Sequence, residues 1–173
     1  VAPGQRRFAL DQIGLVIDSV RLGGKVPEGG MVPEGDEALP FSVDGQKLNI
    51  SLPELRKTPV PGDMLEFAIQ YSVKKPGRGL YFTGPDKFYP SKPHQVWSQG
   101  QDEDTRYWIP TFDYPNQKVL TEVIATVPKG YVAVSNGALL SRKDSGDKTR
   151  FHYKLGTPHV TYLITLVVAK LSE

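Results

Sequence analysis

A side-chain period of two constrains this chain more than any other feature. From Met64 to Val73 the sequence MLEFAIQYSV puts Leu65, Phe67, Ile69, Tyr71 and Val73 on one face and Glu66, Ala68, Gln70 and Ser72 on the other, the pattern of a strand with one face buried. The period recurs in KVLTEVIATV, where Val119, Val123, Ala125 and Val127 share a face, and in TRFHYKL, where Phe151, Tyr153 and Leu155 alternate with Arg150, His152 and Lys154. LVIDSVRL and KLNISLP read as further strands, and the closing HVTYLITLVVAKL as a strand covered on both faces. Turns at Asn136-Gly137 and across Asp144 to Asp147 predict an antiparallel meander there. GGKVPEGGMVPEGDEALP reads as a surface loop. No stretch of useful length carries a helical period, and 17 Gly with 15 Pro supply many turns. The chain is therefore predicted to be all-β, a two-layer and mainly antiparallel sandwich. Its 173 residues predict one domain, 1–173.

Charge narrows the partners. The 21 basic and 19 acidic residues are interspersed, leaving a net charge of +2. No basic stripe of the kind that displaces counterions from nucleic acid shows in the sequence. Without cysteine there is no disulfide, thiol nucleophile or thiolate zinc site, and the composition is compatible with cytosol, periplasm and secretion alike. The longest apolar run, from Tyr162 to Ala169, is too short to span a membrane. A chain opening on Val rather than Met reads as a piece of a longer one.

Against this background the segment from Gly84 to Asn116 stands out as one long loop whose aromatics, Phe88, Tyr89, Trp97, Tyr107, Trp108, Phe112 and Tyr114, predict that it is ordered. A short helical turn is expected at Asp104 to Trp108, capped by the carboxylates of Asp102 to Asp104. Catalytic patterns are missing. His94, His152 and His159 lack the spacing of a hydrolytic zinc site. There is no G-x-S-x-G elbow, P-loop or complete G-x-G-x-x-G cradle. Asp102 and Asp104 read as a solvated capping run rather than an acid and base pair.

The loop carries a resemblance. Gln99-Gly100-Gln101, then Asp104-Thr105-Arg106, Ile109-Pro110-Thr111-Phe112-Asp113-Tyr114-Pro115, Lys118, a strand to Val127-Pro128, and Ala133-Val134-Ser135-Asn136-Gly137 resemble, in order and spacing, the N-terminal domain of the aminopeptidase N type of zinc metallopeptidases, which includes leukotriene-A hydrolase. Weaker likeness extends from LVIDSVRLGG to TYLITLVVAKL. The resemblance implies a saddle-like β domain that packs on a separate catalytic domain carrying G-x-M-E-N, H-E-x-x-H and zinc. Both motifs are absent, so the chain would be an inactive fragment ending before them, without the first one or two strands of the domain. A sheet edge opened there would pair with a neighbouring chain.

In such enzymes the Q-x-E or Q-x-Q loop reaches the active-site cleft and holds the free amine of the peptide substrate. Gln99, Gly100 and Gln101 are the matching positions. A glutamine carbonyl can accept from an ammonium, and Gly100 would let backbone approach a ligand. Gln101 stands where most aminopeptidases have a carboxylate, so its attraction for an amine is weaker by a unit charge. Thr111 replaces the usual cysteine and Tyr114 the usual glutamate. Arg106, Asp113 and Pro115 read as structural loop residues, and Trp97 and Trp108 as packing anchors under the loop. Three readings remain open: the binding domain of a zinc aminopeptidase, the interaction scaffold of a catalytically degenerate paralogue, or a free-standing carbohydrate- or protein-binding module.

Overall fold

The structure, a computed structural model, describes residues 7–23, 37–52 and 64–171. The chain divides into two compact units, Val1–Lys74 and Lys75–Glu173.

In the first unit, strands β1 (Arg7–Asp11), β2 (Leu15–Leu22), β3 (Glu37–Ala38), β4 (Phe41–Val43), β5 (Lys47–Ser51) and β6 (Phe67–Val73) form two antiparallel sheets, ordered β1-β5-β4 and β3-β2-β6. Period-two sequences put alternate side chains between the sheets. Val20 from β2 and Leu48 and Ile50 from β5 meet Leu39 and Leu52 in a core flanked by Phe8, Ile69 and Phe67, with the Phe8 and Phe67 rings 5.4 Å apart. The alternation read from Met64 becomes strand from Phe67 onward, while Leu65 still packs on this core. Among the described residues one strand, β1, precedes LVIDSVRL; its short alternation, RFALD, escaped the sequence pattern. Most of the expected glycine- and proline-rich surface loop lies outside the described residues, and its end, β3, pairs with the end of β2.

The second unit holds β7 (Gly79–Thr83), β8 (Gln95–Gln99), β9 (Lys118–Pro128), β10 (Val132–Ser135), β11 (Ala138–Ser145), β12 (Lys148–Val160) and β13 (Leu166–Ala169). They form antiparallel sheets ordered β10-β13-β8-β7 and β11-β12-β9. Val127, Ala133, Phe151 and Tyr153 make the core between them, and the Tyr153 hydroxyl donates to the Ala133 carbonyl at 3.1 Å. All-β architecture in antiparallel layers is thus what the chain forms.

Several local expectations are corrected. The segment from Gly84 to Asn116 is ordered but is not one loop: Gln95–Gln99 form β8, inside a sheet, and Thr105–Tyr107 a 3-10 turn. That strand is short and polar, so its alternation was masked by acids and prolines on either side. Asp104 caps the turn without any side-chain hydrogen bond, so the carboxylate caps are not made.

No meander forms. The hairpin at Asp144 to Asp147 joins β11 to β12 as expected, but Asn136-Gly137 carries the chain from one sheet to the other. Asn136 accepts from the Thr165 amide at 2.6 Å and donates to the Leu163 carbonyl at 3.0 Å. Gly137 sits at φ +85°, where a Cβ would lie 2.1 Å from the Lys154 carbonyl oxygen, so only glycine fits. The closing strand is also interrupted: a 3-10 turn, Thr161–Leu163, separates β12 from β13, and most of β13 is half-buried rather than covered on both faces.

Candidate functional site

β8 carries the candidate residues. Paired with β13 on one side and β7 on the other, it is fixed by Ser98, whose hydroxyl accepts from the Leu166 amide at 2.8 Å. Trp97 and Gln99 therefore point to the opposite face from Val96 and Ser98, and both are exposed. Gln99 stands opposite Gly79 in the register.

The strand ends at Gly100, which is buried, and the chain turns back as the Asp104 amide donates to the Gly100 carbonyl at 2.9 Å. A Cβ on Gly100 would meet the Thr105 hydroxyl at 2.7 Å and the Tyr162 carbonyl at 2.8 Å. The close approach that requires glycine here is to the chain's own atoms. Gln101 is exposed at the start of this turn, and the Gln101–Asp102 peptide bond is cis. Gln99 and Gln101 are thus held at the surface on either side of a buried, tightly packed glycine.

Beneath the turn lies a buried polar staple. Asp113 has no exposed surface. Its carboxylate accepts from the Arg106 amide at 2.9 Å, from Arg106 Nε at 3.3 Å and from the Thr161 hydroxyl at 2.8 Å. Arg106 Nη2 donates to the Asp113 carbonyl at 2.8 Å and to Glu103 at 2.6 Å, and its guanidinium lies 5.9 Å from the Tyr114 ring centroid. The Thr105 hydroxyl donates to the Thr161 carbonyl at 3.1 Å. Pro115 occupies the second position of a turn closed by the Gln117 amide on the Tyr114 carbonyl at 2.9 Å, a position its fixed φ suits. Thr105 and Thr161, which complete the staple, carry no signal in sequence, because their partners are distant in the chain.

The tryptophans separate. Trp108 is buried and packs beside Gly79, as an anchor should. Trp97 is not under the loop: it is 38% exposed and stacks on Tyr81 with ring centroids 4.4 Å apart and planes 19° from parallel. Tyr81 was missed, although the alternation in GLYFT and the Tyr81↔Trp97 register explain the stack.

The histidines do not converge. His152 pairs with Glu122 at 2.5 Å, which with Lys154 holds the Glu122 carboxyl below the usual carboxylate range. His159 Nε2 lies 3.4 Å from the Thr121 hydroxyl, and His94 crowds Gly84. Asp104 lies 3.7 Å from Arg78, and Asp102 is exposed. Among the described residues no set of three His, Asp or Glu side chains could hold a metal ion. No helix among them is long and apolar enough to cross a membrane.

Fold and site together define an all-β chain with two exposed glutamines flanking a buried glycine on an ordered turn. The Peptidase M1 N-terminal domain family matches residues 10–163, and the chain belongs to that family. It is 28% identical over 132 residues to human aminopeptidase B, covering 76% of this chain and 19% of that protein. It is 31% identical over 109 residues to chicken transcription initiation factor TFIID subunit 2, covering 61% of this chain and 9% of that protein. Among solved structures, an M1 zinc metallopeptidase from Deinococcus radiodurans shares the fold with a TM-score of 0.72 at 18% identity, covering 98% of this chain and 35% of that one. A two-domain M1 zinc metallopeptidase mutant bound to L-arginine matches with a TM-score of 0.73 at 18% identity, over the same shares of the two chains. The chain spans about a fifth of the length of the aminopeptidase B relatives.

Proposed function

We propose that the two units together form the single N-terminal domain of a zinc-dependent aminopeptidase, and that Gln99 and Gln101 help bind the free amine of the peptide substrate. The observation that carries this is the turn after β8, where the glutamines are exposed on either side of Gly100 while the Arg106–Asp113–Thr161 network fixes the backbone that bears them. A site of this kind binds well when its supporting bonds are buried. The side-chain carbonyls accept from an ammonium; their amides donate to neighbouring carboxylates. Hydrolysis and zinc would belong to a catalytic domain of the parent, a reading supported by the M1 zinc metallopeptidases that share this fold.

In the parent polypeptide, Gln99→Ala and Gln101→Ala should each raise KM for amino-acid arylamides more than they lower kcat, because the amine is held in both ground and transition state. The chain alone should release no arylamine. A parent that stays inactive with zinc supplied would sink the reading. The similarity to TFIID subunit 2 supports a second one, in which the same domain serves as a non-catalytic interaction scaffold.

A further inference from the structure

The outer face of the β11-β12-β9 sheet gathers charges that are scattered in the sequence. Register places Lys143 opposite Arg150 and Arg150 opposite Thr126, Lys148 opposite Ser145 and Pro128, and Lys154 opposite Glu122. Lys118 lies on the same face as Glu122 by strand alternation. Lys118, Lys143, Lys148, Arg150 and Lys154 thus face one carboxylate, Glu122, which is already bound to His152 and Lys154 at 2.5 and 3.3 Å. The surplus exceeds the +2 of the entire chain. Among these cations stand two aliphatic side chains of β9, Leu120 at 65% exposed and Ile124 at 43%.

β9 is also an edge. It runs for 11 residues, and among the described residues it pairs with β12 alone. Proteins usually keep such edges short or guard them with charge, because unpaired backbone groups are a template for another strand. On β9 itself the guard is one charge of each sign, Lys118 and Glu122, but the face beside it is cationic through Lys143, Lys148, Arg150 and Lys154. A second copy would add the same cations to that face, whereas a strand rich in Asp or Glu meets complementary charge.

We propose that this edge and face dock an extended acidic peptide segment of a partner protein, which adds as a strand beside β9. Spacing suits it. Alternate residues of β12 and of an added strand both recur at about 6.8 Å, so successive acidic side chains would follow Lys148, Arg150 and Lys154. The added strand would lie two inter-strand spacings from β12, about 9.6 Å, within the combined reach of a lysine or arginine and a glutamate. Leu120 and Ile124 would pack its apolar positions. The one ring of β9 or β12 on this face is the His152 imidazole, which is already held by Glu122, so peptide is favoured over single-stranded nucleic acid.

The test is fluorescence anisotropy of the full chain with a labelled alternating Glu-Val peptide long enough to span β9. Binding should weaken with added salt and fall at least about tenfold in Lys148→Glu/Arg150→Glu/Lys154→Glu, whose folding is checked by circular dichroism. A second arm leaves the protein untouched: the same peptide with alternate backbone amides N-methylated keeps its charge but loses strand pairing, and should bind at least about tenfold more weakly. Equal binding of the N-methylated peptide, of a Lys-Val peptide, or of an oligonucleotide of matched charge would overturn the proposal.

Discussion

Replacing Asp113 by Ala tests whether the buried staple holds the candidate turn. The substitution removes the acceptor of three bonds, from the Arg106 amide, Arg106 Nε and the Thr161 hydroxyl, at 2.9, 3.3 and 2.8 Å. Asp113 is fully buried and the Arg106 side chain is only 14% exposed. Removing one member of a buried charged pair costs about 3–5 kcal/mol, since the other charge and its donors are left without compensation. Arg106 keeps Glu103 at 2.6 Å and the residue-113 carbonyl at 2.8 Å, which places the expected loss near about 3 kcal/mol. With a urea slope of about 2 kcal/mol per molar, the unfolding midpoint should fall by about 1.5 M. Tryptophan fluorescence reports it, since Trp97 and Trp108 flank the turn in sequence. Thr161→Val removes one neutral donor and should cost about 1 kcal/mol. The pair Arg106→Met/Asp113→Leu should lose less than the sum of its single changes, because it buries no orphan charge. If Asp113→Ala unfolds within about 0.5 kcal/mol of the parent chain, the staple is not what stabilises this region and the argument fails.

Gly100→Ala should destabilise by about 1–3 kcal/mol, as its Cβ would lie 2.7 and 2.8 Å from Thr105 and Tyr162 atoms, and a melting curve unchanged from the parent would count against that packing. Trp97→Ala should cost no more than about 1.5 kcal/mol, because the ring is 38% exposed and its stack on Tyr81 is the main loss, whereas Trp108→Ala should cost about 3–5 kcal/mol; iodide should accordingly quench Trp97 before Trp108. Burial pushes the Tyr71 hydroxyl up to about 12, so its neutral form stabilises the fold fully below the ordinary tyrosine value of about 10, and this is lost as pH rises from there through about 12. Tyr71→Phe should flatten that alkaline loss in pH-dependent urea titrations; an identical slope would contradict it.

What could be read from the sequence follows the range of the interactions responsible. β6, β9 and the start of β12 were legible because a strand with one buried face declares itself within a few residues, as Phe67, Ile69, Val123, Val127, Phe151 and Tyr153 do. β8 was not, because QVWSQ is only half-buried on one face and sets Trp97 between two glutamines on the other, and its place inside the sheet rather than at the edge depends on Val167, 70 positions downstream of its partner Trp97. The Asn136-Gly137 turn shows the same limit: the dipeptide marks a sharp turn correctly, but whether the next strand folds back or changes sheet is decided by Thr165, Leu163 and Lys154. At the site, Gln99, Gly100, Gln101, Arg106 and Asp113 could be picked out by resemblance, yet the reason Asp113 must be an acid is visible only when Thr161 comes to it from the other end of the unit. The cationic face is the clearest case. Lys143, Lys148, Arg150 and Lys154 look neutralised in a sequence of interspersed charge, because Asp144 and Asp147 stand among them; strand alternation then puts Asp144 opposite Thr149, on the other face from Lys143 and Arg150. A period of two therefore sorts charge as well as hydrophobicity, and an even average along the chain can conceal a surface of one sign.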